Sequence, residues 1–369
     1  MTAAERSSSR RALLLETHNG VRPLEAEWDA LADRTGASVF ARPGWIDAWY
    51  SAFVRGEPLV AALRRGGELV AVAALEARGP ALRSATNWHT PAYDLVAEGA
   101  DDAQALADAV LRLRPRRLDL RFVDADGLAA PAFGAAAAAA GYRILTRPLE
   151  ESPYIPVAGD WDAYAKTLSK KMLQDLARQR RRLEENGGPV SVTVETGGTG
   201  LEEALETGFR LEAAGWKGRG GTAIVSRPET QTFYTAVARW AAERGWLRLA
   251  FLSVGDRPIA FEFGLEENGA VYNLKPGYDE SYARYGPGSV LTEHIVRGAF
   301  ERGVRSYEFL GDADPYKLRW ARFVRQRLVV QAFAPTPAGR ADFVAFRFGR
   351  PAVLWALSVQ RRASARLQR

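Results

Sequence analysis

The sequence NLKPGYDESYARYGPGSVLTE, residues 273–293, runs from a predicted strand through a polar and aromatic loop into a glycine-rich turn and a helix. The turn carries Gly286 and Gly288, and Ser289 is a suitable cap for the helix that follows. A helix N-terminus presents free N–H groups and the positive end of the helix dipole, and both attract phosphate groups. Arg284 adds a positive charge beside the turn. The stretch therefore predicts a site for phosphate groups, with a plain capped helix start as the alternative.

The predicted elements around this stretch occur in the same order in both halves of the chain. In the first half, a strand is followed by two helices, an antiparallel hairpin turning at 65–67, a helix and a strand. The second half repeats that order, with hairpin turns at 255–256 and 267–269. This recurrence predicts an internal structural repeat and an α/β fold with mixed sheets.

The predicted boundaries divide the chain into two domains and a tail. Prolines and acidic residues in RPLEESPYIPVAGD, residues 147–160, interrupt the repeating pattern. We therefore predict one domain over residues 1–150, a second over 151–338, and a basic C-terminal helix over 339–369. The tail is amphipathic, which favours either docking on an anionic membrane or packing on its own domain.

The composition narrows the classes of function. The chain has no cysteine, which excludes disulfides, thiolate catalysis and cysteine metal sites. Its three histidines, His18, His89 and His294, lie far apart in the sequence, so we expect no metal site. The net charge is +6, and positive charge is concentrated in the tail and in KKMLQDLARQRRRLEE, residues 170–185. This charge suits an anionic cofactor, a polyanion or an anionic membrane surface.

The expected location of the protein is the cytoplasm. The sequence contains no run of ~18 apolar residues that would predict a transmembrane helix. The N-terminal sequence MTAAERSSSRR lacks the apolar core of a signal peptide. Peripheral contact with the inner membrane is an additional hypothesis, which rests on the basic segments.

Three stretches give the second half a resemblance to the Gcn5-related N-acetyltransferase (GNAT) fold. They are EAAGWKGRGGTA (212–223), KPGYDESYARYGPGSVL (275–291) and YEFLGDADPYKLRW (307–320). The chain resembles in particular the CelD/BcsL-like branch, which is related to the Fem-type peptidoglycan-bridge transferases. The resemblance covers residues 150–335 well and the first half less specifically. It implies an α/β fold of tandem GNAT-like domains, with the active site in the second.

The resemblance also implies a reaction and a cofactor. GNAT enzymes transfer an acyl group from acetyl-CoA or a longer acyl-CoA to an amine, here on a small molecule, a lipid or a peptide. The branch suggests envelope polysaccharide, lipid or peptide metabolism. The family's pyrophosphate signature is Arg/Gln-x-x-Gly-x-Gly/Ala, and the turn of this chain is a version shortened by one residue. The implied cofactor-binding residues are Lys275, Arg284, Gly286, Gly288 and Ser289.

Two alternatives to acyl-CoA chemistry stay open. Fem-type relatives use aminoacyl-tRNA to form an amide, so tRNA is the alternative partner. The second alternative is a non-catalytic scaffold that binds a polyanion or a membrane.

The candidate catalytic residues are a lysine and three carboxylates. The resemblance places Lys317, in DPYKLRW, at the position of the reaction-centre lysine of Fem-type enzymes, where an ammonium stabilises an oxyanion. Asp279 and Glu280 are loop carboxylates, and either is a candidate to accept the proton of an attacking amine. Glu262 has apolar strand neighbours, so we expect a paired carboxylate or one with a raised pKa. The alternative for Lys317 is a solvated side chain on a short helix. For the two loop acids it is solvation or capping of a helix, and for Glu262 it is a position on the solvent face of the strand.

The acceptor site is predicted from a glycine-rich loop after the first helix of the second half. This loop contains Trp216, Lys217 and Arg219, and in GNAT folds the corresponding region covers the acceptor. Tyr278 and Glu280 complete the predicted acceptor-binding set. An ordinary surface loop is the alternative.

Overall fold

The computed structural model describes residues 13–215, 220–221 and 223–349, and its strands form one mixed sheet. The first half supplies β1 (Leu13–His18), β2 (Glu57–Arg65), β3 (Glu68–Arg78), β4 (Ala81–Ser84), β5 (Val96–Ala97) and β6 (Arg117–Asp124). The rest are β7 (Arg143–Pro156), β8 (Val190–Glu195), β9 (Leu247–Val254), β10 (Arg257–Glu267), β11 (Ala270–Tyr278), β12 (Ser306–Glu308) and β13 (Phe323–Phe333). The 13-stranded sheet has the order β1-β2-β3-β4-β6-β13-β7-β12-β11-β10-β9-β8, with β5 paired to β3. This architecture confirms the predicted fold class.

Helices cover the sheet in both halves. The first half has α1 (Glu25–Thr35), α2 (Pro43–Phe53), α3 (Ala100–Arg112) and α4 (Ala129–Ala139). The second half has α5 (Trp161–Ala165), α6 (Lys170–Gly187), α7 (Leu201–Ala213), α8 (Pro228–Glu243), α9 (Pro287–Arg302), α10 (Pro315–Leu318) and α11 (Pro337–Val344). Residues 350–369, most of the predicted basic tail helix, lie outside the described residues. None of the helices in the described part of the chain is long and apolar enough to span a membrane.

The two halves share a sheet because they exchange strands at the junction. β13, from the end of the second half, lies between β6 and β7 and pairs antiparallel with both. β7 in turn pairs with β12 of the second half. Residues 147–156, which the prolines mark as a break in the sequence, therefore belong to a central strand. The register between β13 and β7 shifts at Pro148, and a bulge is one of the few places where a strand accepts proline. The predicted domain bounds remain a prediction.

The largest apolar cluster joins the two halves. Trp45 and Trp49 of α2 and Phe233 of α8 belong to it, and the rings of Trp45 and Phe233 meet edge to face at 5.2 Å. The Trp45 indole also donates a hydrogen bond to Thr90 Oγ1 at 3.1 Å. Buried aromatic contacts of this kind fix the relative position of the helices that carry them. The space between the halves therefore has defined walls.

The packing of α7 on the sheet depends on a glycine in the middle of the helix. A Cβ atom at Gly208 would lie 2.4 Å from the ring of the buried Phe261. Gly208→Ala should lower the free energy of unfolding by ~1–3 kcal/mol, because the buried ring has to move. Gly134, in α4, is the matched control, since a Cβ there meets nothing within 4 Å. Gly134→Ala should raise stability by ~0.5–1 kcal/mol. Urea denaturation of both variants tests this, and equal effects would contradict the close packing.

Candidate active site

A cleft of about 610 Å³ opens between the halves, beside the end of β11 and the start of α9. β11 pairs with β12 over residues 270–272, whereas β11 itself continues to Tyr278. The two strands therefore separate, and the far part of β11 lines the cleft. The volume lies within the usual range for small-molecule sites. The first half contributes to the lining Trp88, His89, Pro91, Phe122 and Glu150.

The glycine-rich turn forms one wall of this cleft. Gly286 has φ 62° and ψ 45°, a left-handed conformation that favours glycine, and a Cβ there would lie 2.4 Å from Gln179 Nε2. Gly288 is less crowded, since a Cβ would approach the Tyr278 ring at 3.6 Å. Both glycines and Ser289 line the cleft. The turn thus brings a helix N-terminus to the cavity. The prediction that Ser289 caps this helix is wrong, because Gly286 is the N-cap and Ser289 lies in the first turn, where its N–H donates to Gly286 O at 3.0 Å.

The other predicted cofactor-binding residues lie on different sides of this turn. Lys275 lines the cleft, and its ammonium is 5.6 Å from the ring centroid of Tyr234. The Arg284 guanidinium lies over the ring of Tyr285, 4.6 Å from its centroid, and Arg284 is not a lining residue. The structure therefore brings together the lysine, the glycines and the serine, and turns the arginine away.

Lys317 lies in the wall of the cleft, with its ammonium engaged by the neighbouring loop. Its side chain is 8% exposed, and Nζ donates to Leu310 O at 2.8 Å and to Asp312 O at 2.7 Å. The third partner is the Asp314 carboxylate at 3.0 Å. Leu310 has φ 57°, which is uncommon for a residue with a branched side chain. Lys317 thus holds the loop 310–312 in its conformation beside the cavity.

Glu150 is a cleft residue that the sequence did not single out. It is 6% exposed, lies at the bulge in β7, and has Oε1 without a hydrogen-bond partner among the described residues. Burial and the nearby charge of Asp312 raise the pKa of Glu150 to about 7, against the opposing charges of Arg327 and Lys317. A carboxyl group with this pKa and a free oxygen is suited to proton transfer near neutral pH. Its burial was not evident from the sequence, because acidic residues between prolines are typical of an exposed loop.

Glu262 lies behind the cleft rather than in its lining. It is 2% exposed on β10 and accepts hydrogen bonds from the Tyr307 hydroxyl at 2.9 Å and from Asn273 Nδ2 at 2.8 Å. Burial raises the pKa of Glu262 to about 8, although the hydrogen bond from Tyr307 opposes this. The carboxyl is therefore both paired and shifted. It reaches the cavity only through Asn273, which is a lining residue.

Asp279 is placed away from the cleft lining, where it caps a short helix. Its carboxylate accepts from the Ser281 N–H at 2.9 Å and from the Ser281 hydroxyl at 2.7 Å, and it pairs with Arg257 at 2.7 Å. Burial alone would raise the pKa of Asp279, but these partners outweigh it and hold the pKa below its ordinary value. A carboxylate with a lowered pKa is a weak base, so the capping alternative describes Asp279 better.

The structure describes only two of the predicted acceptor-binding residues, Tyr278 and Glu280. Trp216, Lys217 and Arg219 lie outside the described residues. Tyr278 lines the cleft and is 38% exposed. Glu280 is close to the cleft residue Gly215, where a Cβ would lie 3.6 Å from Glu280 Oε1.

His89 is a second cleft residue that the sequence did not single out. Its ring stacks on Phe53 with centroids 5.2 Å apart, and Nδ1 lies 3.3 Å from the Tyr234 hydroxyl. Burial and the charges of Lys275 and Arg227 lower the pKa of His89 to about 3. The imidazole is therefore neutral and serves as a wall. Among the residues in view, no group of His, Asp and Glu side chains has the geometry of a metal site.

Comparisons with known proteins agree on the fold. Residues 170–318 match the family model described as "Acetyltransferase (GNAT) domain". Among solved structures, FemX matches at 12% identity with a TM-score of 0.58, over 85% of this chain and 96% of FemX. A conserved protein of unknown function from Bacteroides thetaiotaomicron matches at 13% identity and a TM-score of 0.52, over 87% of this chain and 100% of the other.

A third solved structure is described as the C-terminal domain (DUF2156) of a lysylphosphatidylglycerol synthetase from Agrobacterium fabrum. It matches at 13% identity with a TM-score of 0.51, over 86% of this chain and 96% of the other. At such identities the three likenesses concern the fold alone. No curated protein matches the sequence.

Proposed function

We propose, from the match of residues 170–318 to the GNAT acetyltransferase domain, that the protein is an acyl-CoA-dependent N-acyltransferase. Its acceptor is an amine on a small molecule, a lipid or a peptide. The observation that carries the proposal is the cleft between the halves, whose lining includes the N-terminus of α9 together with Glu150 and Lys317. The net charge of +6 supports an anionic donor and peripheral contact with an anionic membrane, in the cytoplasm.

The residues of the turn fit the phosphates of coenzyme A. α9 has 16 residues, so its N-terminus carries a developed dipole, and the space beside Gly288 lets a ligand approach the backbone closely. Lys275 adds a positive charge in the same cavity. When bound, acyl-CoA supplies a thioester whose carbonyl carbon is open to attack by an amine. The chain has no cysteine, so no acyl-enzyme on a thiolate is involved.

The side chains opposite the turn are suited to the acceptor. An amine at neutral pH is mostly protonated and must lose a proton to attack. That first proton goes to solvent before attack. Once the neutral amine has attacked the carbonyl carbon, its nitrogen has to lose a second proton, and Glu150, with its free carboxylate oxygen and a pKa of about 7, accepts it as the amide forms. The Lys317 ammonium contributes positive charge where negative charge develops on the carbonyl oxygen. Coenzyme A leaves as a thiolate when the carbon–sulfur bond breaks, and it takes up the proton that Glu150 has accepted, which regenerates the carboxylate. Holding both reactants in one cleft provides the remaining advantage.

An aminoacyl-tRNA donor is the second candidate. It is favoured by the position of α6, whose Gln179 lies against the turn at Gly286. The same helix exposes Arg178, Arg181 and Arg182, and phosphate backbones are bound by such basic surfaces. Its product would also be an amide.

Gly288→Val is expected to abolish acetyl-CoA binding while the protein remains folded. The added side chain would occupy the approach to the α9 N-terminus, and near Gly288 it meets only the Tyr278 ring at 3.6 Å. Isothermal titration calorimetry with acetyl-CoA measures the loss, and the melting temperature of the free protein checks the fold.

Gly286→Val is the informative contrast. Its left-handed backbone and the contact with Gln179 mean that this change should lower the melting temperature itself. Wild-type affinity for acetyl-CoA in a folded Gly288→Val protein would contradict the placement of the phosphates.

A further inference from the structure

A second depression of about 420 Å³ adjoins the cleft on the side of the first half. The two cavities share Trp88 and His89 in their linings. The depression lies between the end of α2, the hairpin of β3 and β4, and the start of α8. The two cavities therefore adjoin at these two side chains.

Four arginines line this depression, which we call the arginine groove: Arg55, Arg78, Arg83 and Arg227. Within the described part of the chain, none of the four guanidinium groups has an ion-pair or hydrogen-bond partner. Arg83 Nε is buried and unpartnered, and the same is true of Nε1 of Trp49, a lining residue that is 3% exposed. Buried donors without acceptors are costly, and a bound acceptor removes that cost.

The carboxylates of the groove do not neutralise these arginines. Glu76 is 6% exposed and accepts from the backbone N–H groups of Arg55 at 2.8 Å and Gly56 at 2.6 Å. Glu229 lies in the first turn of α8, where a negative charge complements the helix dipole. Four guanidinium groups thus stand against two carboxylates that already have local roles.

We infer that the arginine groove binds an anionic group of the acceptor, a phosphate or a carboxylate, while the acceptor amine lies in the cleft. Guanidinium groups bind both anions through paired hydrogen bonds, so the chemistry is shared by the two sources. The inference rests on the proposed function for the identity of the ligand as an acceptor. It narrows the acceptor to an amine that also carries a phosphate or carboxylate group.

His89 provides a local reporter for an anion in the groove. It lies between the two cavities, and burial and the charges of Lys275 in the cleft and Arg227 in the groove lower its pKa. A His89 shift that is lost when Arg83 and Arg227 are replaced therefore reports an anion in the groove, whereas one that persists reports an anion at Lys275. An anion beside Arg227 changes the field at the imidazole. The chain has three histidines, and neither His18, on β1, nor His294, on α9, lines the groove, so only three ring signals have to be assigned.

The test is a titration of the full-length protein with inorganic pyrophosphate and, separately, with citrate, followed by NMR of the histidine rings. The His89 signal should shift and saturate while that of His18 does not move. The anion that binds with the higher affinity indicates whether the anionic group of the acceptor is a phosphate or a carboxylate. In the double variant Arg83→Gln/Arg227→Gln, the affinity for that anion should fall by roughly 10–100-fold, as expected for lost hydrogen bonds to a charged group.

Arg112→Gln is the matched control, because Arg112 is exposed on α3 and does not line the groove. Acetyl-CoA binding should be unchanged in the double variant. An absent His89 shift, or an equal loss of affinity in the control, overturns the anion site. Loss of acetyl-CoA binding in the double variant would assign the arginines to the donor and overturn the inference. If pyrophosphate binds as expected while no acyl-CoA binds the wild type, the anion site stands and the proposed donor fails.

Discussion

Glu150→Gln should lower kcat for acyl transfer by ~10²–10⁴-fold, the range for loss of a general base. Glutamine keeps the size of the side chain but cannot accept the proton of the acceptor amine. Steady-state kinetics with a saturating acyl donor measures the loss. Glu151→Gln is the matched control, since the neighbouring Glu151 is exposed, bonded to Gln326 and outside the cleft lining.

The pH dependence separates a base from a structural carboxyl group. In the wild type, kcat/KM should rise with pH through a pKa of about 7 as Glu150 ionises, and this limb should be missing in the variant.

The folding stability of the wild type should fall over the pH range in which kcat/KM rises. The folded-state pKa of Glu150 is raised, so its ionisation costs stability as pH rises from about 4.5 towards 7. The melting temperature of Glu150→Gln should therefore gain on the wild type between pH 5 and pH 8. An unchanged pH–rate profile in the variant would remove Glu150 from proton transfer.

Lys317→Met should lower kcat by ~10²–10³-fold with a much smaller change in KM. The ammonium has two carbonyls and a carboxylate as partners, so the variant loses both a positive charge at the cleft and the anchor of the loop 310–312. The charge it offsets develops in the transition state, which is why affinity in the ground state should change little.

The coupling of Lys317 to Glu150 gives a readout that loop disorder alone would not produce. The Lys317 charge lowers the pKa of Glu150. Its removal should therefore shift the limb of the pH–rate profile to higher pH. A raised KM with kcat intact would instead show that Lys317 grips an anionic substrate group.

The sequence predicted the fold class and the type of enzyme because these depend on local patterns. The order of strands and helices follows from hydrophobic periodicity, and the match of residues 170–318 to the GNAT domain confirms the resemblance and the acyltransferase class. The strand exchange was not predictable in the same way. β13 pairs with β6 across about two hundred residues of chain, as at Val330 and Leu120, and no local pattern encodes such a partner.

The candidate site shows the same division between local and distant information. Gly288 and Ser289 were found because a glycine-rich helix start is a local feature, although α9 already begins at Pro287. Asp279 and Arg284 lie in the loop before it, but the Asp279 side chain pairs with Arg257 and the Arg284 side chain packs on Tyr285, so neither lines the cavity. Glu150 reaches the cleft only because a bulged strand of one half faces the other half. That arrangement is set by tertiary packing.

The most direct test of the central claim is the melting temperature of the full-length protein with candidate donors. A donor that binds only the folded state stabilises it by mass action, by ~2.7 kcal/mol at a hundred-fold excess over Kd. We expect saturable stabilisation by acyl-CoAs, with the chain length of the best one identifying the donor, and no such effect in Gly288→Val. Stabilisation by aminoacyl-tRNA alone, with none by any acyl-CoA, would contradict the account.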